Sequence, residues 1–291
     1  MAAILAVAGV LLLSVPCDSG IDTTFVAESS FGSFEQATRI TVGPQGWIYV
    51  IDARRNAVLV FKSVREEPSI LGGFGWSASA FDTPTGIAAD GLNVYVSDFG
   101  NHRIQRFDRT SNLISTLFTR DTSFAPARIG YPVGVSLTNM GELLVLDSEN
   151  LKVVKFSSDS RYERSFGDLT ESGGKLQNPV KLCVAGEQFV YVIEKTRILQ
   201  FDYFGNYLRS MGTNLAGDIV GGTASAEGIS IVCRDTLYDF HSDGSVAGST
   251  PLATLITETP VRSVQDIAIV GHRLFVLTPH RCHVFNIRST N

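Results

Sequence analysis

The sequence lacks the features that nucleic-acid binding or a metal centre would require. It has 24 lysines and arginines against 29 aspartates and glutamates, a net charge of −5, and the basic residues are scattered. Nucleic-acid binding needs a basic patch, so we expect no nucleic-acid partner. The four cysteines and five histidines show no Cys-x-x-Cys or His-x-x-x-His spacing. We therefore predict no metal site and no cofactor.

The cysteines are also too few for a disulfide framework. One lies near the N-terminus, and the others, Cys183, Cys233 and Cys282, are an odd number on separate predicted strands. We interpret these three as small apolar filler in tight strands rather than as disulfide partners. Cys282 also forms a weak cluster with His280 and His283, which we interpret as a surface turn rather than a zinc site.

What the sequence does contain is a repeat, seen best in residues 84–108, PTGIAADGLNVYVSDFGNHRIQRFD. Three short apolar strands are separated there by turn residues, and the first turn is Asp90-Gly91, a pair suited to a tight hairpin. Asp98 and Asn101 belong to the second turn. We expect their side chains to hydrogen-bond the turn backbone, which makes them structural rather than catalytic.

Copies of this unit recur about every 45 residues, the spacing of a four-stranded β-propeller blade. The third strand of each copy ends in a phenylalanine: Phe61, Phe107, Phe156, Phe201, Phe240 and Phe285. Runs such as 143–147, LLVLD, are apolar on both faces, which suits blades that pack face to face. We predict an all-β, six-bladed β-propeller with blades near 39–75, 86–120, 134–168, 181–212, 217–250 and 266–288.

The two ends of the propeller complement each other. Residues 23–32 resemble the fourth strand of a blade that has no first three strands, whereas the sixth copy stops where its fourth strand should begin. We predict that the N-terminal strand joins the last blade and closes the ring, which removes two open sheet edges. One such ring uses residues 18–291, so we predict a single domain.

Three blocks, 49–62, 95–108 and 143–156, resemble the NHL repeat, in which an Asp closes the second strand and an Asn-His/Arg turn opens the third. The pair Asp98 and Asn101 is a close match. Asp52 with Asn56 and Asp147 with Asn150 are partial matches, and the last three copies lack the pair. The chain thus resembles NHL-repeat six-bladed β-propellers of the exported bacterial type. The resemblance implies the fold, whereas one scaffold hosts unrelated activities.

The N-terminus resembles a leader. Residues 4–15 form an apolar run that is too short to span a bilayer but fits a secretory signal peptide, although the usual positive segment is absent. We predict a signal peptide over 1–17 and an exported protein, periplasmic or extracellular, with no transmembrane span in the mature chain. Lipidation of Cys17 is the alternative, although Pro16 fits the bacterial lipoprotein box poorly.

Blade-first strands line the central channel of a propeller, so aligned positions near their starts are the candidate site. One column contains Thr38, Thr85, Val133, Val180, Gly217 and Gln265, and the next contains Arg39, Gly86, Gly134, Lys181, Asp218 and Asp266. Six-bladed amidating lyases place zinc-binding histidines in the first column, and gluconolactonase-like enzymes place calcium-binding Glu, Asn and Asp in similar positions. Neither set is present, and the histidines fall in predicted turns or at strand ends. We therefore predict no catalytic residue.

The charged candidates at the channel mouth are Arg39, Lys181, Asp218 and Asp266. We expect Lys181 to face Asp218 and Arg39 to face Asp266, either as ion pairs that plug a narrow pore or as a polar ligand site. A second candidate is the glycine-rich aromatic segment 72–76, GGFGW, in a connection between blades. We interpret that segment as turn and packing rather than as a binding platform.

Two functions remain open. The first is a monomeric, non-enzymatic exported propeller that binds a protein or a cell-envelope component through its loops. The second is an extracytoplasmic lyase or hydrolase that uses the polar channel mouth with a bound cation. The empty catalytic columns favour the first function.

Overall fold

The computed structural model describes residues 22–168, 173–255 and 263–290. The predicted signal peptide, residues 1–17, lies outside the described residues. Within these ranges, 24 strands form six antiparallel sheets of four strands each. The prediction of an all-β, six-bladed β-propeller is confirmed.

The first three blades follow the chain in order. Blade 1 contains β2 (Ala37–Val42), β3 (Ile48–Asp52), β4 (Ala57–Phe61) and β5 (Ser69–Gly72). Blade 2 contains β6 (Pro84–Ala89), β7 (Asn93–Asp98), β8 (Arg103–Asp108) and β9 (Leu113–Phe118). Blade 3 contains β10 (Pro132–Leu137), β11 (Leu143–Asp147), β12 (Lys152–Phe156) and β13 (Tyr162–Phe166), and a short 3-10 helix, Ala125–Ala127, precedes it.

The next three blades complete the ring. Blade 4 contains β14 (Pro179–Ala185), β15 (Phe189–Glu194), β16 (Ile198–Asp202) and β17 (Tyr207–Met211). Blade 5 contains β18 (Ile219–Ser225), β19 (Gly228–Cys233), β20 (Thr236–His241) and β21 (Val246–Pro251), followed by a 3-10 helix, Leu252–Thr254. Blade 6 contains β22 (Asp266–Val270), β23 (Arg273–Leu277), β24 (Cys282–Thr290) and β1 (Asp22–Phe31).

The N-terminal strand closes the ring as predicted. Strand β1 pairs antiparallel with β24, from Asp22 opposite Thr290 to Phe31 opposite Cys282, with one irregularity between Ala27 and Ser29. The Phe31 ring packs edge-on against Phe61 of blade 1, with 4.9 Å between the ring centroids. The closing strand therefore contributes to the core between blades 6 and 1 as well as to the sheet.

The core lies between neighbouring blades. Every residue of β3, β4 and β11 is buried, because each blade packs against a neighbour on both faces. One cluster joins Leu146 and Val153 of blade 3 to Val192 and Leu199 of blade 4. Burial of one such side chain contributes about 1.5–3 kcal/mol relative to exposure. The outermost strand β9, in contrast, is mostly exposed or half-buried.

The three remaining cysteines agree with the interpretation as apolar filler. Cys183, Cys233 and Cys282 are each buried and unbridged. Neither short helix in the described part of the chain is long and apolar enough to cross a membrane.

Candidate functional site

The central channel is lined by the first strands of the blades. Five of these strands contain a β-bulge near their start, at one end of the channel. We use "mouth" for the channel end at which these strands begin. The bulged residues are Thr38, Thr85, Val133, Val180 and Val220. In blade 5 the channel positions are thus Val220 and Gly221, so the placement of Gly217 and Asp218 in these columns was wrong.

Asp218 instead lies before β18 in the loop that leads from blade 4. Its side chain is 64% exposed, and its Oδ2 atom lies 3.9 Å from Nζ of Lys195, which is long for an ion pair. An exposed pair at that distance contributes little to stability. The expected contact between Lys181 and Asp218 is therefore absent from the channel.

Lys181 pairs with Asp266 across the channel. Its Nζ lies 2.6 Å from Oδ1 and 2.8 Å from Oδ2 of that carboxylate, which is fully buried. The backbone N–H groups of Ile40 and Gly222 also donate to Asp266, at 3.1 and 3.2 Å. Four hydrogen bonds from three blades thus converge on one carboxylate. The bond pattern compensates for removing its charge from water.

Arg39 makes a different contact from the one expected. Its guanidinium donates to the carbonyl oxygen of Thr38 at 2.9 Å and, from blade 1 to blade 4, to that of Val180 at 3.1 Å. The expected pairing of Arg39 with Asp266 was wrong, because Lys181 already occupies that carboxylate. Arg39 therefore closes the mouth with its charge directed at neutral oxygens.

The channel contains two cavities. A small one of about 20 Å³ lies at the mouth and is lined by Arg39, Thr85, Lys181 and Asp266, among others. A wider one of about 270 Å³, which we call the vestibule, lies toward the other end, where the first strands finish. Lys181 lines both cavities. Ile40, Ile87, Val135 and Leu182 line both cavities as well, so the mouth and the vestibule meet at this layer of side chains.

A thiol also lines the vestibule. Burial raises the pKa of the Cys183 thiol to about 11. At neutral pH the group is protonated and is a poor nucleophile, since the thiolate is the reactive form. Within residues 22–168, 173–255 and 263–290, no three His, Cys, Asp or Glu side chains are placed to share a metal ion.

The carboxylates that end the second strands hold the connections between blades. Asp52 accepts from the backbone N–H groups of Glu35 and Gln36 at 2.8 and 2.9 Å, and Asp147 accepts from those of Gly130 and Tyr131 at 3.0 and 3.1 Å. Both carboxylates are fully buried. They bind the segment that arrives from the preceding blade, a contact that the local sequence does not reveal.

The amides of the same motif orient these carboxylates. Asn101 donates to Asp98 at 2.8 Å, and Asn150 donates to Asp147 at 2.6 Å. Asp98 also accepts from the backbone N–H of Asp82 at 2.7 Å and is fully buried. The motif therefore joins each turn to the incoming connection through one carboxylate.

The connection between blades 1 and 2 exposes two aromatic side chains. We call residues 73–81 the aromatic loop. Phe74 is 72% exposed and Trp76 is 79% exposed. The interpretation of this segment as packing was wrong for these two rings, because the loop turns them toward solvent.

The backbone of the aromatic loop is held in place by hydrogen bonds from polar side chains of blade 2. Arg103, which is bound to Asp98 at 2.7 Å, donates to the carbonyl oxygens of Trp76, Ser77 and Ala80 at 3.1, 3.0 and 2.8 Å. Further bonds run from the amide of Gln105 to Ala80, from the Ser79 N–H to Gln105, and from the Asn101 amide to Gly75. The loop is therefore fixed although its rings are exposed.

A glycine allows the backbone conformation at the start of this loop. Gly72 has a φ of +98°, and a Cβ atom built there would lie 2.3 Å from the buried Phe81 ring. The sequence showed the glycines but not the direction of the rings. That direction depends on Arg103 and Gln105. Both residues lie in β8, and strands β6 and β7 separate them from the loop in the sequence.

Comparison with known sequences identifies the repeats. The family profile of the NHL repeat matches residues 81–107 and 130–156, which cover the first three strands of blades 2 and 3. The chain is therefore a six-bladed β-propeller that contains NHL repeats.

Two curated relatives share about half of the chain. It is 28% identical over 150 residues to Protein brain tumor of Drosophila melanogaster, which is 49% of this chain and 14% of that protein. It is 27% identical over 143 residues to the B-box type zinc finger protein ncl-1 of Caenorhabditis elegans, 48% of this chain and 16% of that protein. The match thus spans less than a fifth of either relative.

Solved structures with this architecture include enzymes. A gluconolactonase from Xanthomonas campestris superposes with a TM-score of 0.66 at 16% identity, covering 95% of this chain and 98% of that one. A streptogramin B lyase superposes with a TM-score of 0.63 at 12% identity, covering 92% and 98%. At such low identity these similarities show the fold alone.

Proposed function

We propose that the protein is a non-enzymatic binding module whose aromatic loop contacts a partner protein. The observation that carries the proposal is the exposure of Phe74 and Trp76 on a backbone that buried side chains hold in place. Exposed single apolar residues are ordinary on protein surfaces. Two large exposed rings on either side of Gly75, on an immobilised loop, are not explained by folding, because neither ring contributes to the core.

The rigidity of the loop favours binding. Ordering a flexible loop on association costs free energy, and a loop that is already fixed avoids that cost. Tryptophan is enriched among the residues that dominate interface energies, and an aromatic side chain buries about 150–250 Å² when covered. We therefore expect the partner to offer an apolar pocket that accepts the Trp76 indole.

The channel mouth supports this proposal because it is narrow and its one carboxylate already has its partners. Asp266 receives four hydrogen bonds, and Arg39 donates to two carbonyl oxygens. The mouth cavity of about 20 Å³ has no room for an organic substrate. The surface of the aromatic loop is therefore a better binding candidate than the mouth.

We also propose that the protein is exported and that residues 1–17 are its signal peptide. The support is the apolar run at 4–15 followed by small residues before Asp18. N-terminal sequencing of the protein purified from its own cells tests this proposal. A mature chain that starts near Asp18 supports free export, and a lipid on Cys17 supports an anchored form. An intact Met1 in the mature protein contradicts both.

The binding proposal is tested by cross-linking mass spectrometry on partners captured from an envelope extract. The bait proteins are the mature wild type, Trp76→Ala and a matched control, Leu92→Ala. Leu92 is 73% exposed in the turn between β6 and β7. This turn lies on the opposite face of the propeller from the aromatic loop, because the loop precedes the start of β6 and the turn follows its end. A partner that cross-links near residues 73–81, is lost with Trp76→Ala and is kept with Leu92→Ala supports the proposal.

A partner that both variants retain contradicts the assignment to the aromatic loop. The alternative of a cation-dependent lyase or hydrolase has its own readout, the divalent metal content of the purified protein. Metal that is bound by the wild type and lost from a Lys181→Met, Asp266→Asn double variant would favour the enzyme over the binding module.

A further inference from the structure

The charges that line the mouth cavity do not balance. Its charged residues are Arg39, Lys181 and Asp266, two cations and one anion, because Asp218 lies outside the channel. We propose that a chloride-sized inorganic anion binds in this cavity beside Arg39 and Lys181. The site is independent of the aromatic loop and of any protein partner.

Asp266 does not compensate for both cations. Each of its carboxylate oxygens accepts from Lys181 and from one backbone N–H, that of Gly222 or of Ile40. Both oxygens thereby have two donors, whereas the partners of the Arg39 guanidinium among the described residues are the carbonyl oxygens of Thr38 and Val180. A partly buried guanidinium without a counter-charge is costly in a protein interior, so a bound anion would be stabilised there.

The carboxylates nearest the mouth have other partners. Three of the four that end second strands are next to an arginine of their own turn: Asp52 with Arg55 at 3.6 Å, Asp98 with Arg103 at 2.7 Å, and Glu194 with Arg197 at 2.6 Å. The fourth, Asp147, accepts from four backbone N–H groups and from the amide of Asn150. These groups hold the connections between blades and do not face the cavity.

The cavity also has the donors and the size that a small anion requires. A guanidinium carries five N–H donors and an ammonium carries three, so Arg39 and Lys181 retain donors beyond those used above. Gly86 and Gly134 line the same cavity, and a Cβ atom at Gly86 would lie 2.7 Å from the Cα of Gly134, so the missing side chain lets the two first strands approach closely and keeps the cavity small. About 20 Å³ is enough for one water-sized occupant. A halide ion is in this range, whereas phosphate and organic carboxylates are larger.

The first test measures the thermal unfolding midpoint while sodium chloride replaces sodium gluconate at constant ionic strength. Binding to the folded state alone raises the midpoint as chloride increases. The variant is Arg39→Gln, which keeps an N–H donor near the Val180 carbonyl but removes the charge. The matched control is Arg54→Gln, because Arg54 is 74% exposed in a turn of the same blade.

We expect a saturable rise in the midpoint for the wild type and for Arg54→Gln, and at least a tenfold weaker apparent chloride affinity for Arg39→Gln. Equal chloride responses in all three proteins overturn the proposal. A second measurement needs no variant: crystals of the wild type grown in bromide are examined for anomalous scattering. A bromide peak between Arg39 and Lys181 supports the site, and a cavity without a peak overturns it.

Discussion

Removal of the Asp98 carboxylate is the perturbation for which the structure makes the sharpest prediction. Asp98 is fully buried and binds Arg103 at 2.7 Å, and Arg103 is itself almost completely buried. In Asp98→Ala the guanidinium keeps its charge but loses its carboxylate. The free energy of unfolding should fall by about 3–5 kcal/mol, the cost of leaving one partner of a buried pair uncompensated.

This loss converts to a large change in thermal stability. For a domain of this size each kcal/mol lowers the unfolding midpoint by roughly 2–4 °C, so we expect a decrease of about 6–20 °C. Urea unfolding followed by circular dichroism measures the free energy directly. Asp98→Asn keeps an oxygen that can accept from the Asp82 N–H, so its free energy of unfolding should decrease less than that of Asp98→Ala.

A matched control separates burial from the presence of an ion pair. Asp159 pairs with Arg161 at 2.9 Å, a similar distance, but both side chains are exposed. Asp159→Ala should therefore leave stability nearly unchanged. The reasoning is refuted if Asp98→Ala and Asp159→Ala lower the free energy of unfolding by similar amounts.

The same pair connects stability to binding. Arg103 carries three hydrogen bonds to the aromatic loop, so its substitution should loosen the loop as well as the core. A cycle of Asp98→Ala, Arg103→Met and the double variant isolates the coupling between them. We expect the double variant to be less destabilised than the sum of the two single variants.

Three further predictions concern ring closure, a buried carboxyl and a glycine. Deletion of residues 18–32 removes β1 and should sharply lower the unfolding midpoint measured by calorimetry; an unchanged midpoint would contradict closure by this strand. Burial raises the pKa of Asp239, so the folded state holds that proton more tightly, and stability is lost as pH rises through the raised pKa. In urea unfolding, the free energy of unfolding of Asp239→Asn should therefore rise relative to that of the wild type as pH increases above the ordinary carboxyl pKa, and the difference between the two proteins should be constant below that pKa. A difference that does not change with pH would contradict this. Gly72→Ala should cost several kcal/mol, about the effect of overpacking plus strain, because its Cβ would meet Phe81 at a φ of +98°; a urea midpoint like that of the wild type would contradict the clash.

The six blades follow from patterns in the amino-acid sequence. A four-strand unit that recurs about every 45 residues is set by local properties, the two-sided apolar strands and the turn residues between them. The complementary ends of the chain also predicted the closing pair of β1 and β24. Even the fifth blade, which lacks the Asp-Asn pair, has four strands, from Ile219–Ser225 to Val246–Pro251.

The contacts across the channel, in contrast, depend on how the blades are arranged in space. In blade 5 the channel position is Gly221, three residues after Asp218, because the first strand begins only at Ile219. Alignment of neighbouring blades paired Lys181 with the wrong acid, because the channel is narrow enough for Lys181 of blade 4 to reach Asp266 of blade 6. Such distances depend on how six sheets pack around one axis, which no local pattern specifies.

The direction of the aromatic loop was decided in the same way. Its glycines predict a turn, but whether the rings pack or face solvent depends on the bonds that Arg103 and Gln105 make to its carbonyl oxygens. Those side chains lie in β8 of blade 2, more than 20 residues further along the chain than the carbonyl oxygens that they bind. The local sequence therefore predicts where the chain turns, whereas contacts with side chains distant in sequence set what this turn presents to the solvent.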